Sequence, residues 1–276
     1  MNTFYKISLV FLLALSCSRY YLSENSRHIH DTYWNSGPHI YDYLLADTPY
    51  QTPIFQFQSD SAGPAILIIG GTHGNEPAGF EAAHRLVAMF DSAGLHCGRV
   101  YIIPEANKVA VLHKKRRIPV PDDMDHERGN LNRCYPGDST GLPMEQEAFE
   151  ITQLVRDHNI DILLDLHESP VFHLDYKEDS GQYHGLGQTL IYTPNEAATW
   201  LGMVVLDQIN STIPAGKKQF SLAEQPILNS AAWLVGERFN IPGFTVETCK
   251  KLPLEERIGY QLRVVTLILK EKGMIE

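Results

Sequence analysis

Five apolar residues in a row, Ala65–Ile69, run straight into Gly70-Gly71-Thr72-His73-Gly74-Asn75-Glu76, and Pro77 opens a periodic segment behind them. A short unbroken apolar run bounded by glycine reads as a buried strand. Pro suits the first turn of a helix, and Phe80, Ala83, Leu86, Val87 and Phe90 then supply one apolar helix face. Strand, glycine-rich turn, helix: this order constrains the fold more than any other feature of the chain.

The alternation continues. Strands are expected near 65–70, 99–104, 161–166, 190–192 and 243–247, with helices near 76–91, 145–158, 195–210, 228–238 and 255–272. Such a pattern predicts an α/β fold whose sheet is largely parallel, with helices on both faces. Ligands bind at the carboxyl ends of strands in these sheets. His73, His167 and Glu247 all fall at such ends.

At 276 residues the chain can form one large domain or two small ones. Its formal net charge of −10 argues against nucleic acid as a partner and against a polybasic membrane patch. The one concentrated basic run, Lys114-Lys115-Arg116-Arg117, reads as a solvated loop or as the source of an Arg for a substrate carboxylate. No internal repeat or low-complexity segment interrupts the pattern.

The N-terminus carries an address. Lys6 precedes the apolar run Ile7 to Leu15, too short to cross a bilayer but right for the core of a signal peptide. Leu13-Ala14-Leu15-Ser16-Cys17 is similar to a bacterial lipobox, which predicts cleavage before Cys17 and lipid attachment there; simple signal cleavage is the alternative. The expected organisation is a signal peptide over 1–17, a leader or arm over 18–52 and a hydrolase domain over 53–276. Membrane contact is expected only through the anchor, with the mature domain exported to the cell envelope. Cys97, Cys134 and Cys249 remain, an odd number without zinc-finger spacing. Free thiols are expected, and a Cys134–Cys249 disulfide is the alternative.

The chemistry gathers at strand ends. His73 and Glu76, three apart in the glycine-rich turn, and His167, which closes an apolar run, offer two imidazoles and one carboxylate. That is a common donor set of catalytic zinc, whose fourth position stays open for water. Glu76 could otherwise serve as a favourable charge at a helix N-terminus. Asp165, two residues before His167 on the same strand face, is placed to orient a ligand imidazole. Glu247 ends another apolar strand and could act as general base and then acid. Asn132 and Arg133 offer an amide and a planar fork suited to a carboxylate. Arg116 could add a cation, with Arg117 and Arg128 as rivals.

In this order the residues resemble the zinc carboxypeptidase superfamily, in its succinylglutamate desuccinylase/aspartoacylase branch. The segments that carry the resemblance are His73-Gly74-Asn75-Glu76, Asn130-Leu131-Asn132-Arg133, Asp165-Leu166-His167 and Glu247, within about residues 60 to 270. The resemblance implies a mixed twisted sheet flanked by helices, and hydrolysis of an amide next to a carboxylate. It implies one zinc per chain on His73, Glu76 and His167, with Glu247 as acid/base. Asn132 and Arg133 would hold the substrate carboxylate, and Arg116 a substrate or oxyanion position. Two departures stand out: Asn130 replaces an Asp, and 29 residues follow Glu247 where that branch adds a β-rich domain. The stretch 169–240, with His173, Tyr183, His184 and Tyr192, is expected to wall the cleft instead. Peptides or peptide-like amides are thus the expected substrates. Deacylation of N-acyl amino acids and a non-catalytic zinc- or carboxylate-binding lipoprotein are the alternatives.

Overall fold

The computed structural model describes residues 39–175 and 185–276, and a compact unit runs from Tyr41 to Glu276. The expected signal peptide, Cys17, residues 18–38 of the arm, Tyr183 and His184 lie outside the described residues.

One sheet organises the unit. Its strands are β1 (Ile40–Leu44), β2 (Thr52–Gln58), β3 (Ala65–Ile69), β4 (Arg99–Ile103), β5 (Ile162–Ser169), β6 (Thr189–Tyr192), β7 (Ser221–Glu224) and β8 (Gly243–Cys249). Their spatial order is β1-β2-β4-β3-β5-β8-β6-β7. β4, β3, β5 and β8 run parallel, β2 and β6 lie antiparallel on either side of them, and β7 is parallel to β6. The fold is therefore the expected mixed, largely parallel α/β sheet with helices.

The central strands are enclosed on both faces. Every residue of β3, β5 and β8 is buried; β3 is apolar throughout, while β5 and β8 also enclose polar side chains, among them Asp165, His167, Glu168 and Glu247. Ile66, Leu67, Ile68 and Ile69 are wholly inaccessible. Each such side chain contributes about 1.5–3 kcal/mol relative to exposure, which anchors the strand that carries the glycine-rich turn.

The helices are α1 (Pro77–Ala93), α2 (Lys108–Leu112), α3 (Pro143–Asp157), α4 (Glu196–Asn210), α5 (Ala231–Leu234) and α6 (Leu254–Glu271). On α1 the buried face is Ala78, Gly79, Ala82, Ala83, Leu86, Val87 and Phe90, while Phe80 is only half-buried. Small residues lead because the first turn presses on β5: a Cβ at Gly79 would meet the Leu166 carbonyl oxygen at 2.4 Å.

Three features depart from the sequence expectation. The sheet reaches back into the 18–52 stretch through β1. The helix expected near 228–238 is a single turn, α5, continued by a π-helical turn over Val235–Phe239. Part of 169–240 builds β6, α4 and β7 and extends the sheet, while its residues Ile227, Leu228 and Asn229 line a pocket. Tyr192 is accordingly a strand residue, and His173 bonds the Gly185 carbonyl through Nδ1 at 2.8 Å. Among the described residues no helix is long and apolar enough to cross a membrane.

Candidate active site

The turn after β3 has to be glycine-rich. Gly71 holds φ at +69°, a left-handed conformation that disfavours residues with a Cβ. Gly74 packs so tightly against α2 that a Cβ there would sit 1.9 Å from the Ala110 carbonyl oxygen. α2 is itself fixed by Asn107, whose Oδ1 accepts the Ala110 N–H at 3.1 Å. The result is a rigid turn that delivers His73 and Glu76 to the end of the sheet. His167 arrives on β5, next to Glu247 in the parallel register of β8.

These side chains converge. His73, Glu76 and His167 offer ligand atoms that all lie within 4.8 Å of one another, and all three are buried. Nδ1 of His73 and Nδ1 of His167 are 3.1 Å apart, and lie 3.1 and 3.0 Å from oxygens of Glu76. Glu76 sits at the N-terminal boundary of α1, but its carboxylate caps no amide of that helix. It turns inward, where the Glu168 N–H donates to it at 3.0 Å. The helix-charge reading of Glu76 therefore gives way to the ligand geometry.

The outward ring nitrogens have polar neighbours as well. Nε2 of His73 lies 3.0 Å from Asn130 Oδ1, and Nε2 of His167 lies 2.9 Å from Asp165 Oδ2. Thr72 donates to the other Asp165 oxygen at 2.8 Å. The Asn130 contact orients the His73 ring, the Asp165 carboxylate stands within ion-pair distance behind His167, and both Nδ1 atoms face Glu76. Asp165 lies behind the His167 ring, on the strand face expected of it. The part played by Asn130 goes beyond sequence reading; its only signal was its position in the Asn130–Arg133 segment.

Electrostatics separate the acids. Burial opposes ionisation of Glu76, yet His73 and His167 outweigh it and hold Glu76 well below the usual carboxylate range. Burial keeps His73 below the ordinary imidazole value, while Asp165 and Glu76 overcome burial and raise His167. Glu247, enclosed and with one carboxylate oxygen lacking any partner, is pushed up to about 8 by burial. Two buried carboxylates in one site thus differ in proton affinity, the arrangement that lets one ligate and the other move a proton.

Arg116 is the cation placed at the cluster. Its Nη1 is 3.0 Å from Glu76 Oε1 and 3.3 Å from His73 Nδ1. The rivals are engaged elsewhere: Arg117 with Glu127, and Arg128 with both oxygens of Glu145 at 2.8 and 2.7 Å. Arg133 donates only to the Asn132 carbonyl oxygen, and among the described residues no carboxylate lies within ion-pair reach of it. Asn132 is buried with its side-chain oxygen unpartnered. Both groups have bonding capacity left for a ligand. A pocket of about 360 Å³ is lined by Arg133, Glu127, Cys134, Ile227, Leu228 and Asn229 among others, and by none of the three ligands. Residues 227–229 are the part of the 169–240 stretch that shares this pocket with Arg133. Cys97, Cys134 and Cys249 are free thiols, and burial pushes Cys134 up to about 12, which removes it as a nucleophile.

Residues 62–172 match the family model of the Succinylglutamate desuccinylase/Aspartoacylase catalytic domain. That match bears out the resemblance drawn from the motifs. A stretch of 105 residues is 35% identical to N-alpha-acetyl-L-2,4-diaminobutyric acid deacetylase of Halomonas elongata, covering 38% of this chain and 28% of that enzyme. The fold is similar to that of Helicobacter pylori Csd4, described as a D,L-carboxypeptidase and solved with mDAP bound, at a TM-score of 0.67 and 19% identity over 80% of this chain and 54% of the other. An aspartoacylase family protein from Mesorhizobium loti aligns at a TM-score of 0.60 and 24% identity over 88% and 72%. The chain thus spans about a quarter of the deacetylase and about half of Csd4.

Proposed function

We propose that this chain is a zinc-dependent hydrolase that cleaves an amide bond near a free carboxylate, in peptides or peptide-like substrates. One observation carries the reading: two buried imidazole nitrogens and a buried carboxylate held low in proton affinity converge at the strand ends, each ring backed by a polar side chain. Two nitrogens and one carboxylate oxygen fit zinc, and leave the ion net positive. His73, Glu76 and His167 would hold one ion per chain. A zinc ion so held would lower the pKa of water and polarise a carbonyl.

The protein's own groups supply the rest. Asn132 and Arg133 anchor the substrate carboxylate, which fixes the scissile amide relative to the strand ends. Glu247, unpartnered and raised in proton affinity, accepts a proton from the attacking water and passes it to the leaving nitrogen. Arg116, beside the ligands, stabilises the negative charge that develops on the carbonyl oxygen. The pocket wall of Ile227 and Leu228 adds apolar contact for a longer substrate. The deacetylase relative supports a second reading, deacylation of N-acyl amino acids. Export, with lipid attachment at Cys17 and residence at the cell envelope, completes the proposal. It is supported by the apolar run and lipobox-like residues at the N-terminus.

Purified protein loaded with zinc should hydrolyse peptides or cell-wall peptides bearing a free carboxylate, and lose that activity on chelation. No turnover on peptides, murein peptides or N-acyl amino acids would leave only the binding-protein alternative.

A further inference from the structure

The helix that follows the last central strand takes part in the site without touching its centre. Two α6 side chains one turn apart, Arg257 and Gln261, point at the ends of β5 and β8. Gln261 is wholly buried, and its Nε2 donates to the His167 carbonyl oxygen at 2.8 Å and to Thr248 Oγ1 at 3.1 Å. His167 is a ligand residue, and Thr248 follows Glu247. One carboxamide therefore ties the two strand ends that carry those groups. Arg257 pairs with Glu168, the residue after His167. The second Glu168 oxygen accepts the Ala78 N–H at 3.0 Å, two residues after Glu76, while the Glu168 N–H itself donates to Glu76. Glu168 faces away from the ligands and yet joins β5, α1 and α6.

These contacts cost something to maintain. Glu168 is wholly and Arg257 largely buried, and among the described residues Arg257 Nε and Gln261 Oε1 have no hydrogen-bond partner, an uncompensated desolvation cost. Core packing alone would be served by apolar residues like Val264, Val265 and Leu269, which line the same helix. The polar pair instead bonds His167, Glu168 and Thr248, at the strand ends that carry His167 and Glu247.

We infer that Arg257 and Gln261 are positioning residues: α6 sets the relative placement of the β5 end, the β8 end and the start of α1, and so the spacing of His167, Glu76 and Glu247. Its zinc readout rests on the proposed metal site; a second readout does not. Removing a partner behind a metal ligand typically weakens metal affinity about 10–100-fold.

The test uses the whole chain with Gln261→Leu and Arg257→Met, and Arg257→Lys as the conservative variant. Val264→Ala, an apolar truncation on the same helix, serves as the control for lost stability. Zinc affinity is read by competition with a chelating dye, and the His73 and His167 rings are read by ¹⁵N chemical shifts without added metal. Gln261→Leu and Arg257→Met should weaken zinc binding about tenfold or more and shift both ring signals. Arg257→Lys should recover most of the affinity. Val264→Ala should lower thermal stability with affinity within twofold of wild type and rings unmoved. Ring signals and affinity unchanged in Gln261→Leu and Arg257→Met would overturn the inference and leave α6 a packing helix. Shifted rings in a protein whose wild type takes no zinc would uphold it and overturn the metal reading instead.

Discussion

Glu247 is the residue on which the proposed chemistry turns. Glu247→Gln keeps size and hydrogen bonding but cannot accept a proton. Turnover should fall about 100-fold or more, with bound zinc unchanged; near-normal turnover would rule out the acid/base role. Arg133 gives a separate test, since Lys keeps the charge and loses the planar fork. Arg133→Lys should raise KM several-fold, and amidating the substrate carboxylate should do the same to wild type. Equal rates on amidated and free substrates would refute the clamp. The residues at the cluster were legible because imidazole and carboxylate at the ends of apolar runs have few other reasons to be there. Asn130, Gln261 and Arg257 were not: Asn130 meets a ring 57 positions away and Gln261 a carbonyl 94 away. Pairings of that separation are set by tertiary packing and leave no local pattern.

Among the elements, α3 carries an oddity. Glu147 is wholly buried and among the described residues neither carboxylate oxygen has a partner, so burial holds it well above the usual carboxylate range. The folded protein then keeps a proton that the unfolded chain releases above its ordinary value near 4.5. Stability attributable to Glu147 is therefore present at low pH and is lost as pH rises toward the folded value, by at most about 1.4 kcal/mol per pH unit. Glu147→Gln should flatten that slope. In urea unfolding its advantage over wild type should be larger at pH 8 than at pH 5, and parallel pH profiles for the two proteins would contradict the assignment. The elements that sequence predicted best were β3, β4, β5, β8, α1, α3, α4 and α6, where periodicity or apolar runs are strong. The edge strands β1 and β7 are short and partly exposed, so neither pattern singles them out. The helix expected over 228–238 loses its period where α5 widens into a π turn.

Across the whole molecule, sheet order explains why the site lies where it does. β3, β5 and β8 are adjacent and parallel, so residues spread from His73 to Glu247 meet at one end of the sheet. Strand alternation foretold that meeting; strand order could not be read from the sequence, nor could the use of 189–224 to extend the sheet. The pocket beside Arg133 bears on substrate size. With Leu228 64% exposed on its wall, peptide-like amides should show higher kcat/KM than N-succinyl- or N-acetyl-amino acids, and Leu228→Asp should narrow that gap. The opposite order on one preparation would favour the deacylase reading. The central claim is that His73, Glu76 and His167 hold a single metal ion, and zinc stoichiometry tests it most directly. Elemental analysis after zinc loading and desalting should find one equivalent in the wild-type protein and little in a folded His167→Ala variant; full occupancy in that variant would contradict the assignment.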